Sequence, residues 1–216
     1  MSPDLSLPRF ELSASGAISR FGASSAIGGL VCAGFLWTAR EAPLPATGWA
    51  AAFLFLAVEQ DVRRLRIPNW LTVGGLALAL GLAGLSAGSA GLVAAAAGAG
   101  VALVALFLPF ALRWLGAGDV KAMMVFGALW GREHVLPALF WMILAGGLLA
   151  IVLVVVRGEF RDLCVRWGRS LWITLSTRRV TYFGPDPGSA ASGGLPFAVA
   201  IGIGATIYQV WGFPWA

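Results

Sequence analysis

Apolar residues run along this chain in long blocks near 22–39, 46–60, 70–88, 90–112, 119–131, 135–156 and 195–213, separated by short polar or glycine-containing breaks. A helix needs about 20 apolar residues to cross a hydrocarbon core, with a range of about 17–25. The pattern therefore predicts an all-α, polytopic membrane helix bundle. Blocks 46–60 and 119–131 are short, and short spans thin the bilayer or shelter among neighbours. The expectation is accordingly six to seven transmembrane spans in a single membrane domain covering 1–216. Residues 1–21 form a polar tail that lacks the early basic segment of a signal peptide. The first span is expected to stay attached.

The one sizeable polar stretch is 157–194. Within it Phe160, Leu163, Cys164, Trp167, Leu171 and Leu175 recur at helical spacing, with Arg161, Arg166 and Arg169 on other faces. A basic amphipathic helix of this kind lies in a membrane surface, and the alternative is an ordinary linker with some apolar residues. Gly184, Pro185, Pro187, Gly188, Gly193 and Gly194 then read as a flexible tether before the last span.

Composition agrees with the pattern. Hydrophobic residues make up 59% and charged residues 12%, with a mean hydropathy of +0.84, whereas soluble domains carry about 25% charged residues. A soluble globular domain, a disordered chain and a nucleic-acid-binding module are excluded, in spite of the net charge of +5. With the N-terminus on the cytoplasmic side and all seven blocks crossing, 13 of the 15 basic residues fall on that side, and only Arg40 and Arg132 on the other. That is the asymmetry by which membrane proteins orient. Cys32 and Cys164 stand apart and His134 is the single histidine, so neither a zinc site of several ligands nor most histidine chemistry can be built. No metal and no cofactor is expected.

Of the ten acidic residues, Glu59, Asp61 and Asp119 fall at span boundaries, where an ionisable group is costly unless it is paired or functional. Glu59 stands four before Arg63, the favourable order for a helical ion pair. Asp61 opens the turn Asp61-Val62-Arg63-Arg64-Leu65-Arg66-Ile67-Pro68-Asn69-Trp70. Pro68 disfavours helix at Ile67, and Asn69 is suited to cap a helix beginning at Trp70. A plain charged turn, with Asp61 paired to an arginine, is the alternative. Asp119 follows Gly116-Ala117-Gly118 and precedes Val120-Lys121. It could simply cap a helix, with Lys121 snorkelling to the surface; the glycines also let another backbone approach.

Both aspartates reach one membrane face, each at a helix end. Two neighbouring carboxyl groups share one proton, so that one takes a proton from water while the other hydrogen-bonds a carbonyl. That is aspartyl-protease chemistry. The competing readings are a cation-coupled transporter that binds its ion at the two aspartates, and a non-catalytic membrane subunit of a pilus or secretion system.

Gly116-Ala117-Gly118-Asp119 matches the GxGD signature of membrane-embedded aspartyl proteases. Together with the Asp61…Ile67-Pro68-Asn69 turn, Val120-Lys121 and Leu195-Pro196-Phe197, it resembles the type IV prepilin peptidases over roughly 45–213. The compact form is similar to the members that serve tight-adherence (Flp-type) pili. The resemblance implies that Asp61 and Asp119 are catalytic, with Gly116, Gly118, Lys121, Pro68 and Asn69 supporting them and the approach of substrate. It further implies an active site at the cytoplasmic face of a bacterial inner membrane and cleavage of the basic leader from pilin-like precursors. The partners would be those precursors and the lipid bilayer, with no nucleic acid. The paired CxxC motifs of larger members are missing here, so zinc is not expected and N-methylation of the new terminus is not implied. The two carboxyl groups are expected within direct or water-bridged reach, with Asp119 beneath a groove beside Gly116 and Gly118.

Overall fold

The computed structural model describes residues 14–39, 44–112, 115–177 and 195–212. Among them the chain is entirely helical, as its apolar blocks predict: α1 (Ala14–Thr38), α2 (Leu44–Arg64), α3 (Asn69–Ala111), α4 (Ala117–Trp130), α5 (Arg132–Val156), α6 (Phe160–Thr177) and α7 (Phe197–Trp211). The polar tail up to Ser13 and the glycine- and proline-rich tether of 178–194 lie outside the described residues. Two helices, α3 and α5, are long and apolar enough to cross a membrane; Gly22–Thr38 and α7 are shorter apolar helices.

The two blocks predicted at 70–88 and 90–112 appear as one 43-residue element, α3, but it is a hairpin. Ala87 and Gly88 leave helical geometry, with Gly88 at φ 61°, a left-handed conformation that glycine adopts without steric penalty. After that turn the chain runs back on itself. A Cβ placed on Gly91 would stand 2.2 Å from the Ala83 carbonyl oxygen, although residues eight apart in a straight helix are about 12 Å apart. Both arms then meet α4. Gly75 faces Val125, and Gly98 lies against Gly127, where a Cβ would come within 2.1 Å of the Gly127 carbonyl oxygen. Such backbone approach is how helices associate where lipid supplies no hydrophobic drive.

Its 14 residues make α4 about 21 Å long, short of the roughly 30 Å of a hydrocarbon core. It is compensated by shelter: Val120, Ala122, Met123, Val125, Phe126, Gly127 and Ala128 are all buried. Phe126 stands edge-on to Phe35 of α1 and Phe53 of α2, with ring centroids 6.5 and 6.0 Å away, and these rings centre the core.

The helix α7 lies antiparallel to α5. Gly146 meets Phe197, Gly204 sits on the Met142 backbone, and Trp141 Nε1 donates to the Gly212 carbonyl at 2.6 Å. On its other side α1 presses Val31 onto Gly202. The bundle thus has two ends. One holds the α2–α3 turn, the start of α4, the start of α7 and the exit of α5. The other holds the α3 hairpin turn, the α4–α5 junction and the end of α7.

Candidate active site

At the first end α2 finishes with Asp61 buried, 3% exposed. Leu65 closes the helix at φ 49°, with its N–H donating to the Asp61 carbonyl at 2.7 Å. A leucine in that left-handed region is strained by about 1–3 kcal/mol, and here the strain turns the chain into the Ile67-Pro68 segment. Asp61 Oδ2 accepts a hydrogen bond from the Ala198 N–H at 2.8 Å. Ala198 belongs to the first turn of α7, whose amide groups have no partner within their own helix and whose dipole favours a carboxylate. The charged-turn alternative is thereby corrected. Among the described residues Asp61 makes no ion pair, because Arg63 points round the helix to Glu59 instead.

Asp119 stands in the first turn of α4, half-buried. Its Oδ2 accepts from the Gly116 N–H at 3.1 Å, so the carboxyl reaches back across the loop it follows. Asp61 near the end of α2 and Asp119 at the start of α4 thus stand at the same end of the bundle.

The motifs that carry the aspartates interlock. Gly118 lies on Ile67, where a Cβ would stand 3.3 Å from the Ile67 Cβ and 3.4 Å from its carbonyl oxygen. Across the same seam Lys121 Nζ donates to Asn69 Oδ1 at 2.9 Å. Gly116 has its own constraint, since a Cβ there would stand 3.0 Å from Asp119 Oδ2.

Two expectations need correction. Asn69 does not cap α3: Pro68 holds the cap position with no side-chain cap bond, and the Asn69 amide is turned to Lys121. Lys121 consequently does not simply snorkel; it ties α4 to the start of α3. Sequence reasoning missed the Ala198 donor, and its only trace was the Leu195-Pro196-Phe197 opening of α7. His134 is exposed and shares a 2.6 Å hydrogen bond with the Tyr208 hydroxyl at the opposite end. A cavity of ~460 Å³ also lies at that opposite end, lined by Thr47, Ala83, Trp130 and Gln209 among others, away from both aspartates.

Residues 49–151 match a family model, that of the type IV leader peptidases. Over that segment the chain is similar to the type IV leader peptidases. The segment contains α2 from Trp49 onward, all of α3 and α4, and most of α5, and so both aspartates and every contact between their motifs. No curated protein and no solved structure matches the chain.

The matched segment is narrower than the 45–213 range of the resemblance, leaving α1 and α7 outside it. Both nonetheless hold it in place. From α7 comes the amide that binds Asp61. From α1, Ser24 accepts from Arg63 Nε at 2.8 Å, and Ser25 donates to Glu59 at 3.4 Å. The expected Glu59–Arg63 ion pair is present and ties α1 to the face of α2 opposite Asp61, since residues two apart are about 200° apart on a helix.

Proposed function

We propose that this protein is an aspartyl endopeptidase of the inner membrane that removes the basic leader from type IV pilin-like precursors, with Asp61 and Asp119 as its catalytic pair. The observation that carries the reading is the interlock of the two motifs, Gly118 on Ile67 and Lys121 on Asn69, which ties both aspartates to one end of the bundle. In this reading the pair shares one proton. The ionised carboxylate takes a proton from a water molecule as the oxygen attacks the scissile carbonyl carbon. The protonated partner donates to the carbonyl oxygen, and as the tetrahedral intermediate collapses and the C–N bond breaks, a proton passes to the leaving amine.

The topology proposed with it has six to seven crossings, a cytoplasmic N-terminus and the aspartates at the cytoplasmic face. The α3 hairpin supports that count by supplying two crossings from one element, and the 13-to-2 division of basic residues supports the orientation. The basic leader of a precursor would then stay in the cytoplasm while its apolar helix sits in the bilayer.

The test is cleavage of a co-expressed pilin-like precursor by the intact chain, by Asp61→Asn and by Asp119→Asn at matched membrane levels. Asparagine keeps the volume and removes the titratable group. Cleavage by the intact chain and none by either variant is expected. A variant that cleaves at the normal rate removes that aspartate from the mechanism, and an intact chain inert toward several matched precursors removes the proposed substrate class.

A further inference from the structure

The peptidase reading leaves one surface unused, the outward face of α6. Phe160, Cys164, Trp167, Leu171 and Leu175 recur every three or four residues, and all are exposed, Trp167 at 56%, Leu171 at 62% and Leu175 at 70%. They do not line the bundle. The neighbouring stripe does so, with Leu163 and Ile173 half-buried and Ser170 buried. The apolar stripe therefore faces away from the protein while the helix is held along its adjacent side.

Charge borders the stripe. At about 100° per residue, Arg161 lies beside it, about 80° from its centre, while Arg169 lies nearly opposite; Arg161 is exposed, as is Arg157 just before the helix. Position completes the picture: α5 ends at Val156, and Gly158 takes φ 74°, so the chain turns off the α5 axis where α5 leaves the bundle. Val155 and Val156, the last residues of that apolar helix, are exposed, and α6 begins at that level.

We propose that α6 is a docking surface for anionic phospholipid headgroups, lying in the membrane interface with its apolar stripe at the acyl boundary and Arg157 and Arg161 among the phosphates. Basic amphipathic helices bind anionic interfaces through just this combination of apolar area and cationic flank. A second copy of the chain fits less well. An 18-residue helix is about 27 Å long, so a stripe about 10 Å wide offers about 270 Å² against the roughly 800 Å² per partner of a stable interface.

Cys164 lies on the stripe and is exposed, whereas Cys32 is buried, so a spin label on Cys164 in a Cys32→Ser background reports on this face. The full chain would be placed in nanodiscs of phosphatidylcholine alone and of phosphatidylcholine with phosphatidylglycerol. In the anionic discs, accessibility to a water-soluble nickel chelate is expected to fall several-fold and accessibility to oxygen to rise. High salt, or Arg157→Gln with Arg161→Gln, is expected to reverse both changes. A label equally open to the chelate in both discs overturns the proposal. Burial to equal depth in both overturns the anionic preference. Dipolar broadening that disappears when labelled chain is diluted with unlabelled chain assigns the face to a second copy instead. None of these readouts depends on proteolysis, so the proposal stands or falls separately from the assignment of Asp61 and Asp119.

Discussion

Lys121 and Asn69 are 52 positions apart in sequence, and the lysine ammonium donates to the asparagine carbonyl at 2.9 Å. This bond and the Gly118–Ile67 contact both join the aspartate-bearing motifs, so the bond is expected to act on the register between them. Lys121→Ala and Asn69→Ala should each lower precursor cleavage. The double variant should do little further harm, because each single change already removes the bond. A double-mutant cycle on cleavage rate and on melting in detergent should give a coupling of about 0.5–1 kcal/mol, the modest value of a solvent-screened pair. Strict additivity would show that the bond carries no coupling.

Gly118→Ala is expected to be costly out of proportion to one methyl. Its Cβ would stand 3.3 Å from that of Ile67, and overpacking of this kind costs about 1–3 kcal/mol. The control is Gly74→Ala, where nothing lies within 4 Å of the added atom; there a helix gains up to about 1 kcal/mol. Thermal unfolding of both variants, with cleavage assayed in parallel, should separate them in sign.

At Asp61 the two obvious replacements should diverge in stability even where both abolish cleavage. Asparagine retains an oxygen to accept the Ala198 N–H, whereas alanine leaves a buried helix-end amide without a partner. Losing such an acceptor costs about 1–2 kcal/mol. Asp61→Ala should melt below Asp61→Asn in detergent, and equal melting temperatures would mean that α7 does not depend on the carboxyl.

The ties between α1 and α2 should be testable without any substrate. Arg63→Met removes the ion pair to Glu59 and the bond to Ser24 while preserving much of the side-chain length. It leaves the Glu59 carboxylate without its ion-pair partner, a loss of about 1–3 kcal/mol. Limited proteolysis should then cut in or near α1 sooner than in the intact chain. Unchanged proteolysis would show that packing alone, Gly28 on Phe55 and Val31 on Gly202, secures the helix.

The helices were legible in the sequence because apolar runs and their breaks are local properties. Ser86-Ala87-Gly88-Ser89 marks the hairpin turn, and the spacing from Phe160 to Leu175 marks α6. Glu59 and Arg63 found each other because an i, i+4 pair is also local. The contacts that assemble the site were hidden for a physical reason. Every non-proline residue has an N–H, so nothing about Ala198 announces that its amide will meet Asp61. Asn69 has the chemistry of a cap and the position of one, but Pro68 occupies the cap and Lys121 supplies a charged donor from another helix. Which glycine of a glycine-rich chain takes a neighbour's backbone, as Gly98 takes Gly127, is decided by helix pairing that no periodicity encodes when a helix such as α4 is apolar on all sides.

The Asp61–Ala198 hydrogen bond has a consequence for how this protein tolerates genetic drift. Its donor is main chain, so it needs no side-chain chemistry at position 198, only a residue other than proline that fits a fully buried site. Selection at that place can act only on how closely α7 approaches, through the size of the side chains that space it from α2 and α5. The anchor of Asp61 thus depends on packing volume, at Ala198 itself and at positions farther away. Gly202, where a methyl group would come within 2.1 Å of Val31, and Gly204, within 2.4 Å of the Met142 backbone, become the positions through which a mutation far from the aspartates would reach them.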